Sequence, residues 1–469
     1  MNLSQHIDSP LYRAIQREAE HLGVEVYVIG GFVRDLLLGR PNTDIDLVAN
    51  TKGLELAQAC AKALGIKKVD IFKTYGTAHF RYKQLDIEFV NARKESYSRE
   101  SRKPDVEQGT LEDDQNRRDF TINALAISLQ AHNFGEVIDP FNGLADLENK
   151  ILRTPLDPDI TYSDDPLRMM RAARFASQLN FEIHDDVLAA MSSMASRISI
   201  ISAERVREEF TKLLMSDHPR SGITILVDTG IAELVLPEIP KLRLEIDEHH
   251  HHKDVYEHSI TVLEQAIAQE ERLGGPNLVI RLAALLHDIG KPKTRNLIDG
   301  GGVSFHHHEV VGARLSKARM KALRFDNETI DAVETLVALH LRFHGYGDGE
   351  WTDSAVRRYV RDAGDLLTHL HVLTRADCTT RNAKKADRLA RIYDGLEARI
   401  AKLSEEEELS KIRPDLDGAQ VMSLLALKPS ADVGKALDFL MELRMEHGPL
   451  GEERATQELL QWWKARRHP

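Results

Sequence analysis

Asp44 and Asp46 stand two residues apart in the apolar run Asn42-Thr43-Asp44-Ile45-Asp46-Leu47-Val48. Side chains alternate along a strand, so both carboxylates project from one face. Two carboxylates so arranged can share two Mg2+ ions, typically held about 3.5–4 Å apart. Just upstream, Val26-Tyr27-Val28-Ile29 reads as a buried strand that stops at Gly30-Gly31. Phe32 to Leu38 then reads as a short helix closed by Gly39. A Gly-Gly turn at a helix N-terminus offers bare N–H groups and little bulk, so a triphosphate can come close. Cradle and carboxylates together point to nucleotide chemistry with a divalent metal, although the carboxylates alone would also fit an exposed strand edge.

Two further stretches carry groups that suit a nucleotide. In Arg117-Arg118-Asp119-Phe120-Thr121-Ile122-Asn123-Ala124 the guanidinium groups match phosphate oxygens bidentately, and Asn123 can contact a ribose hydroxyl. Alone, Arg-Arg-Asp before an apolar helix would read as an N-terminal cap, with Asp119 capping. Asp165 and Arg168 are three apart at the start of a helix and face one side, where an acceptor and a planar donor fork can read a base edge. A surface ion pair is the plainer alternative. In the second half His258, His287-Asp288, His308, His340 and Asp377 are widely spaced, most of them within or beside helical patterns. Adjacent His287 and Asp288 at the end of an apolar helix can give an imidazole and a carboxylate to one ion. His306 and His307 rank below them.

In this order, Gly30 to Asp35 with Asp44-Ile45-Asp46, then Arg117 to Ala124, Asp139-Pro140-Phe141-Asn142-Gly143-Leu144-Ala145-Asp146-Leu147 and Asp164-Asp165-Pro166-Leu167-Arg168 closely resemble the class II tRNA nucleotidyltransferase and bacterial poly(A) polymerase family. The resemblance is dense from about residue 24 to 215 and implies a polymerase-β-like head. It implies that Asp44 and Asp46 are catalytic and hold two Mg2+ ions, with Glu88 as the third carboxylate and Asp86 as the alternative on the same face. It implies nucleotide contacts from Gly30, Gly31, Arg34, Arg117, Arg118, Asn123, Asp165, Arg168, Arg171 and Arg174, with Asp165 and Arg168 as a protein template for CTP and ATP. Asp164 stands where the family has Glu. Leu285-Leu286-His287-Asp288-Ile289-Gly290-Lys291 is close to the signature of HD-domain metal phosphohydrolases. That resemblance makes His258, His287, Asp288 and Asp377 ligands of a divalent transition metal, with His308 and His340 available for a second ion or for phosphate.

These groups need a scaffold. Residues 1 to 150 alternate helical and strand patterns: a helix from Arg13 to Leu22, one from Leu54 to Leu64, and strands at Val69 to Phe72, Ala78 to Tyr82 and Ile87 to Val90. The expected fold is an α/β nucleotidyltransferase domain with a small mixed sheet, followed by all-α neck, HD and tail domains. The expected boundaries are 1–150 for the catalytic head, 151–245 for a base-selecting and RNA-binding neck, 246–385 for the HD domain and 386–469 for a tRNA-binding tail. Ser96 to Gln115 is polar and reads as a mobile loop. From Tyr162 onward apolar residues recur at three-and-four spacing, including Pro166 to Leu179, Ala203 to Met215, Asp254 to Leu273, Asn277 to Asp288 and Val310 to Leu323. Asp299 to Gly302 reads as a turn, and His249 to His252, though reminiscent of a purification tag, lies mid-chain.

The 469 residues suggest two to four domains, and the net charge of −12 argues against a generic polyanion binder. Charge is local, however: Arg93 to Lys103 and Arg375 to Arg391 are basic, each read as a solvated face before a binding patch. Two cysteines, Cys60 and Cys378, leave no disulfide framework. With no apolar leader or membrane-length run, a reducing cytoplasm is expected. The expected partners are tRNA, CTP and ATP, without a membrane; the oligomeric state stays open. The favoured activity is CCA addition to tRNA 3′ ends. Poly(A) polymerase shares the motifs, but its members carry a Gly-basic-basic-Phe run where this chain has Phe72-Lys73-Thr74-Tyr75-Gly76-Thr77-Ala78. A C-adding or A-adding specialist, an HD phosphohydrolase with a degenerate head, and a non-catalytic RNA-binding module are the other readings. Arg413 to Gly418 and the helices after it resemble the tail of bacterial members, with Lys464, Arg466 and Arg467 suited to RNA phosphates. Pro429-Ser430-Ala431-Asp432 departs there from the family's Gly-Pro step.

Overall fold

The computed structural model describes residues 1–73, 76–96, 105–243, 254–298, 302–346, 351–380, 382–407 and 412–467. It divides into two compact units, Met1–Pro237 and Glu238–Pro469. Expectations for His249 to His252, the Asp299–Gly301 turn and the centre of the 96–115 stretch fall outside the described residues.

After a single turn at Ser4–Ile7, the first unit has the Pro10–Leu22 helix, whose Pro10 sits at the first helical turn where its missing N–H costs nothing. A seven-stranded sheet follows, built from β1 (Val26–Ile29), β2 (Asp44–Ala49), β3 (Asp70–Phe72), β4 (Thr77–Tyr82), β5 (Leu85–Asn91), β8 (Ala126–Ser128) and β9 (Val137–Ile138) in the order β3-β4-β5-β2-β1-β8-β9. Only β2 and β5 pair parallel in it, so the sheet is mixed. Val28, Ile29, Leu47, Val48, Ile87 and Phe89 are fully or almost fully buried. Each such side chain stabilises the fold by about 1.5–3 kcal/mol relative to exposure.

Two expectations need correction here. The polar stretch from Ser96 to Gln115 is not simply a loop: β6 (Arg93–Ser96) pairs antiparallel with β7 (Asp105–Gln108), and a helix spans Leu111–Asn116. Ladder hydrogen bonds are backbone groups and need no apolar alternation to form. The helix starts at a capping box in which Thr110 and Asp113 satisfy each other's backbone N–H groups. Second, no apolar helix follows Arg117-Arg118-Asp119. The buried run from Phe120 to Leu129 makes a 3-10 turn, Thr121–Asn123, and then β8. Periodicity cannot separate a short continuous apolar run in a central strand from one in a buried helix.

The rest of the first unit is mainly helical, with main helices at Pro158–Asp164, Leu167–Leu179, Asp185–Met194, Ala203–Leu214 and Pro219–Asp228 and one short parallel pair, Ile151–Leu152 with Glu182–Ile183. Leu167–Leu179 packs on both Ala203–Leu214 and Pro219–Asp228. The last approach is so close that a Cβ on Gly222 would lie 2.5 Å from the Ala173 carbonyl oxygen.

In the second unit, helices Val255–Ile267, Leu278–Leu286, His308–Ala322, Asn327–Leu339 and Leu367–Ala376 pack around a shared core. The helix expected to run from Asp254 to Leu273 breaks near Ala268, and Glu270–Leu273 is a separate 3-10 turn. The basic stretch from Arg375 leads into a 25-residue helix, Ala383–Glu407, where Arg375 pairs with Asp394 and Glu397. Three further helices, Gly418–Leu425, Ala431–His447 and Glu452–Arg467, close on Val421, Ala436, Leu440 and Leu459. Among the described residues no helix is long and apolar enough to cross a membrane.

Candidate active site

Strand register brings the first carboxylates together. Asp46 on β2 lies opposite Glu88 on β5, and Asp44 opposite Asp86. The Asp86 carboxylate also lies 3.2 Å from His79 Nε2. Asp46 is partly buried, and its pKa is raised by burial; the nearby charges of Glu88 and Asp44 push the same way, while Arg118 opposes them. Crowded carboxylates in a partly desolvated place are relieved by a cation, and an all-oxygen donor set suits Mg2+. The residues present therefore fit the ion pair the sequence implies.

Gly30 ends β1 with φ 84°, and a Cβ there would fall 2.8 Å from Arg118 Nη1 and 3.4 Å from Asp46 Oδ2. Only glycine adopts that backbone and leaves the guanidinium its seat. Gly31 begins the Gly31–Leu37 helix, which carries Arg34 and Asp35 into the interior.

A cavity of about 590 Å³ adjoins these groups and is lined by Gly31, Arg34, Asp46, Asn123, Phe175 and several charged side chains. Arg117, Arg118, Asp165, Arg168, Arg171 and Arg174 all line it. Among the lining residues Asp165 is present and Asp164 is not; Asp164 ends the Pro158–Asp164 helix.

The arginines are held rather than loose. Arg118 donates Nε and Nη2 to Asp114 Oδ2 at 3.0 and 2.9 Å, and Arg117 Nη2 pairs with the other oxygen. Asp114 is fully buried; burial would raise its carboxyl, but Arg118 and Arg117 outweigh that and hold it low. Arg34 grips Asp35 through Nε and Nη2 and donates Nη1 to Asn123 Oδ1 at 2.7 Å. Asn123 in turn donates to Asp119 Oδ1 at 2.9 Å, while Asp119 Oδ2 accepts from Arg171 Nε and Nη2 at 2.8 and 2.5 Å. Asp119 caps no helix; it joins Asn123 to Arg171. Burial raises its carboxyl, yet Arg171 and the Asn123 hydrogen bond bring it down to about 2. Arg34, Arg171 and Arg174 stand 5.1, 5.4 and 4.0 Å from the ring centre of Phe175, a cation–π setting.

The side chains of Asp165 and Arg168, which also line the cavity, are not paired with each other. Arg168 donates Nη1 to Thr161 O at 3.3 Å and Nη2 to Arg117 O at 2.5 Å. Asp165 accepts from the Leu167 N–H at 3.1 Å and from Arg205 Nη2 at 2.8 Å. Asp165 thus starts the Leu167–Leu179 helix after Pro166.

The second unit gathers all six of its metal-ligand candidates. Donor atoms of His258, His287 and Asp377 form one group and those of Asp288, His308 and His340 another, each within 4.8 Å. His258 Nε2 lies 2.9 Å from Asp377 Oδ1 and 3.3 Å from His287 Nε2, and Asp288 Oδ2 lies 3.2 Å from His287 Nε2. The rings of His287, His308 and His340 each direct Nδ1 at a backbone carbonyl, those of Ala284, Phe305 and Val337, at 2.9, 2.8 and 2.7 Å. That arrangement fixes the tautomer and turns Nε2 inward, as metal-binding imidazoles require. His340 Nε2 is buried without a hydrogen-bond partner, and burial takes its pKa down to about 3, so the ring is neutral. A mixed imidazole and carboxylate set fits a divalent transition metal.

Known proteins align with this layout. Residues 26–153 match the model of the poly A polymerase head domain, 180–242 that of a probable RNA and SrmB-binding site of polymerase A, and 255–392 that of the HD domain. An A-adding tRNA nucleotidyltransferase of Deinococcus radiodurans is 30% identical over 442 residues, covering 93% of this chain and 95% of that protein. The chain belongs to the tRNA nucleotidyltransferase family. A CCA-adding enzyme of Lactobacillus helveticus is 39% identical over 216 residues, 46% of this chain and 52% of that protein. The fold agrees with that of the Bacillus stearothermophilus CCA-adding enzyme in complex with CTP, with a TM-score of 0.67 at 22% identity over 98% of this chain and 99% of that one. A tRNA nucleotidyltransferase complexed with a primer tRNA and an incoming ATP analog gives 0.59 at 22% identity, over 83% of this chain and 99% of that one.

For this family member, sequence reading passed over Asp114, Asp35, Arg205 and Glu209. Asp114 had a signal: an acid three and four residues before two arginines faces both on a helix. Glu209, which accepts from Arg174 Nε at 2.5 Å, and Arg205 lie on another helix, and nothing local links them to the site.

Proposed function

We propose that this nucleotidyltransferase completes tRNA 3′ ends with CCA, transferring CMP and then AMP from CTP and ATP. The 3′-hydroxyl oxygen bonds to the α-phosphorus, the bond from that phosphorus to the β-bridging oxygen breaks, and pyrophosphate leaves. The observation that carries this reading is the in-register pairing of Asp46 with Glu88 beside a cavity lined with held arginines and bounded by Asp165 and Arg168. Asp44, Asp46 and Glu88 would hold Mg2+. Bound there, the metal lowers the pKa of the attacking hydroxyl and neutralises charge on the leaving pyrophosphate. Gly30 and Gly31 leave room for the triphosphate, and Arg117 and Arg118, aimed by Asp114, receive its oxygens. Asn123, locked between Arg34 and Asp119, is available to a ribose hydroxyl. Asp165 and Arg168 offer an acceptor and a donor to the base edge. The tail helices would take the tRNA arms by shape and phosphate contacts. Such work belongs in the cytoplasm.

The test supplies tRNAs ending before C, CC and A with CTP and ATP, singly and together, and sequences the products. Completion of all three supports CCA addition. A second reading has a specific support: the relative matched over 93% of the chain is named A-adding. Extension only of the tRNA that ends in CC would give the case to that reading, extension confined to cytidines to a C-adding specialist, and A-tails of indefinite length to poly(A) polymerase. The histidine cluster supports a separate phosphohydrolase site in the second unit, tested by release of phosphate from nucleotide and cyclic phosphodiester substrates with added divalent metals.

A further inference from the structure

We infer that Arg205 is a specificity-determining positioning residue that sets the angle at which Asp165 presents its carboxylate to the incoming base. The inference deepens the nucleotide-transfer reading and rests on it. Both oxygens of Asp165 are engaged: Oδ1 by the Leu167 N–H at 3.1 Å, Oδ2 by Arg205 Nη2 at 2.8 Å. These donors come from two different helices, so the plane of the carboxylate is fixed by the packing of Leu167–Leu179 against Ala203–Leu214. Without Arg205, only the Leu167 N–H restrains the group, and rotation about the terminal torsion is soft.

That angle matters for base choice. Cytosine and adenine carry an exocyclic amine where uracil and guanine carry a carbonyl oxygen. A carboxylate held in one plane accepts from the amine and repels the carbonyl. A carboxylate free to turn aside accepts less well and repels less. Arg168 cannot supply the restraint, because its guanidinium is tied to the Thr161 and Arg117 carbonyls. Each carbonyl-bound Arg168 nitrogen keeps the donor fork still while Arg205 keeps the acceptor still. Arg205 also lines the cavity on the side of Asp165, whereas the phosphate-facing arginines hang on Asp114. Removing Arg205 therefore separates base choice from triphosphate binding.

The Arg205 and Asp165 side chains are 36% and 25% exposed, so solvent weakens their attraction and the effect is moderate. The experiment measures kcat/KM for CTP, ATP, UTP and GTP with full-length protein and tRNAs ending before C and before A. Pyrophosphate inhibition and the thermal midpoint are followed in the same samples. Arg205→Ala is expected to reduce the CTP-to-UTP and ATP-to-GTP ratios by about tenfold, while pyrophosphate inhibition stays unchanged. Arg205→Lys, which keeps a donor and its charge, is expected to recover most of the selectivity. Should Arg205→Ala fail to fold, Arg205→Gln and Arg205→Lys carry the comparison, with Gln the less selective. Unchanged ratios, or an equal loss for all four nucleotides, would overturn the inference alone. No nucleotide addition by the unaltered chain would overturn the transfer reading and this inference with it.

Discussion

The two candidate metal sites are built by opposite means. In the first unit the carboxylates of Asp44, Asp46 and Glu88 sit on neighbouring strands beside an open cavity, and all their donors are oxygen. In the second unit histidines and aspartates come from several helix ends, and His287, Asp288 and His340 are almost fully buried. The strand site adjoins a cavity of about 590 Å³; the helical one draws its donors inward and fixes three of its four imidazoles by backbone carbonyls, the fourth, His258, by the Thr379 hydroxyl. Hard, exchangeable ions suit the first, and a retained transition metal the second. One chain thus offers two different donor sets on separate scaffolds.

The sharpest way to break this contrast is Asp46→Ala. If Asp46 holds Mg2+ as proposed, its removal is expected to cut nucleotide addition by about a thousandfold or more, while metal binding by the second unit is unchanged. Addition rates with CTP and ATP and elemental analysis of the same sample check both halves. Near-normal addition would remove the strand site from the reaction. The reciprocal change, His287→Ala, is expected to weaken metal retention by at least about tenfold and to leave addition untouched. Elemental analysis after dialysis, with a parallel addition assay, decides it; a matching collapse of addition would mean that the buried metal supports the fold as a whole.

A smaller effect sharpens the electrostatics of the first site. The Asp119 carboxyl, ordinarily near 3.8, is brought to about 2 by Arg171 and Asn123 against the effect of burial. A carboxyl lowered on folding stabilises the folded state fully above its unfolded pKa and loses that contribution as pH falls through its folded one. Asp119→Asn is therefore expected to cost about 2 kcal/mol at neutral pH and to flatten the stability curve between about pH 4 and 2. Urea titrations of the first unit's transition across that range test it, and an unchanged slope would count against the Arg171 pairing.

Much of this molecule was legible in its residues, and the omissions have physical causes. The alternation of Asp44 and Asp46 with Ile45 and Leu47 gave their shared face directly. Their partner Glu88 needed the β2–β5 register, a long-range fact that only a guess between two carboxylates could approach. Helices with a clear apolar stripe, such as Leu167–Leu179, emerged within a residue or so of their ends. Ala383–Glu407 was obscured by its basic beginning, and β6 and β7 by a lack of apolar alternation. Arg205 was invisible because its partner lies 40 positions away on a different helix.

The parallel pairing of β2 with β5 has a consequence for how the protein comes into being. Between these strands lie the Gly53–Ala63 helix and the β3–β4 hairpin, so Asp46 and Glu88 meet only after that whole excursion has closed. Closure entropy must be overcome before the pairing stabilises anything. A chain that ends before β5 therefore carries both aspartates and still has no site. Arg117, Arg118, Asp165 and Arg168 come later still in the chain, so the carboxylates need both the closed sheet and the rest of the cavity wall.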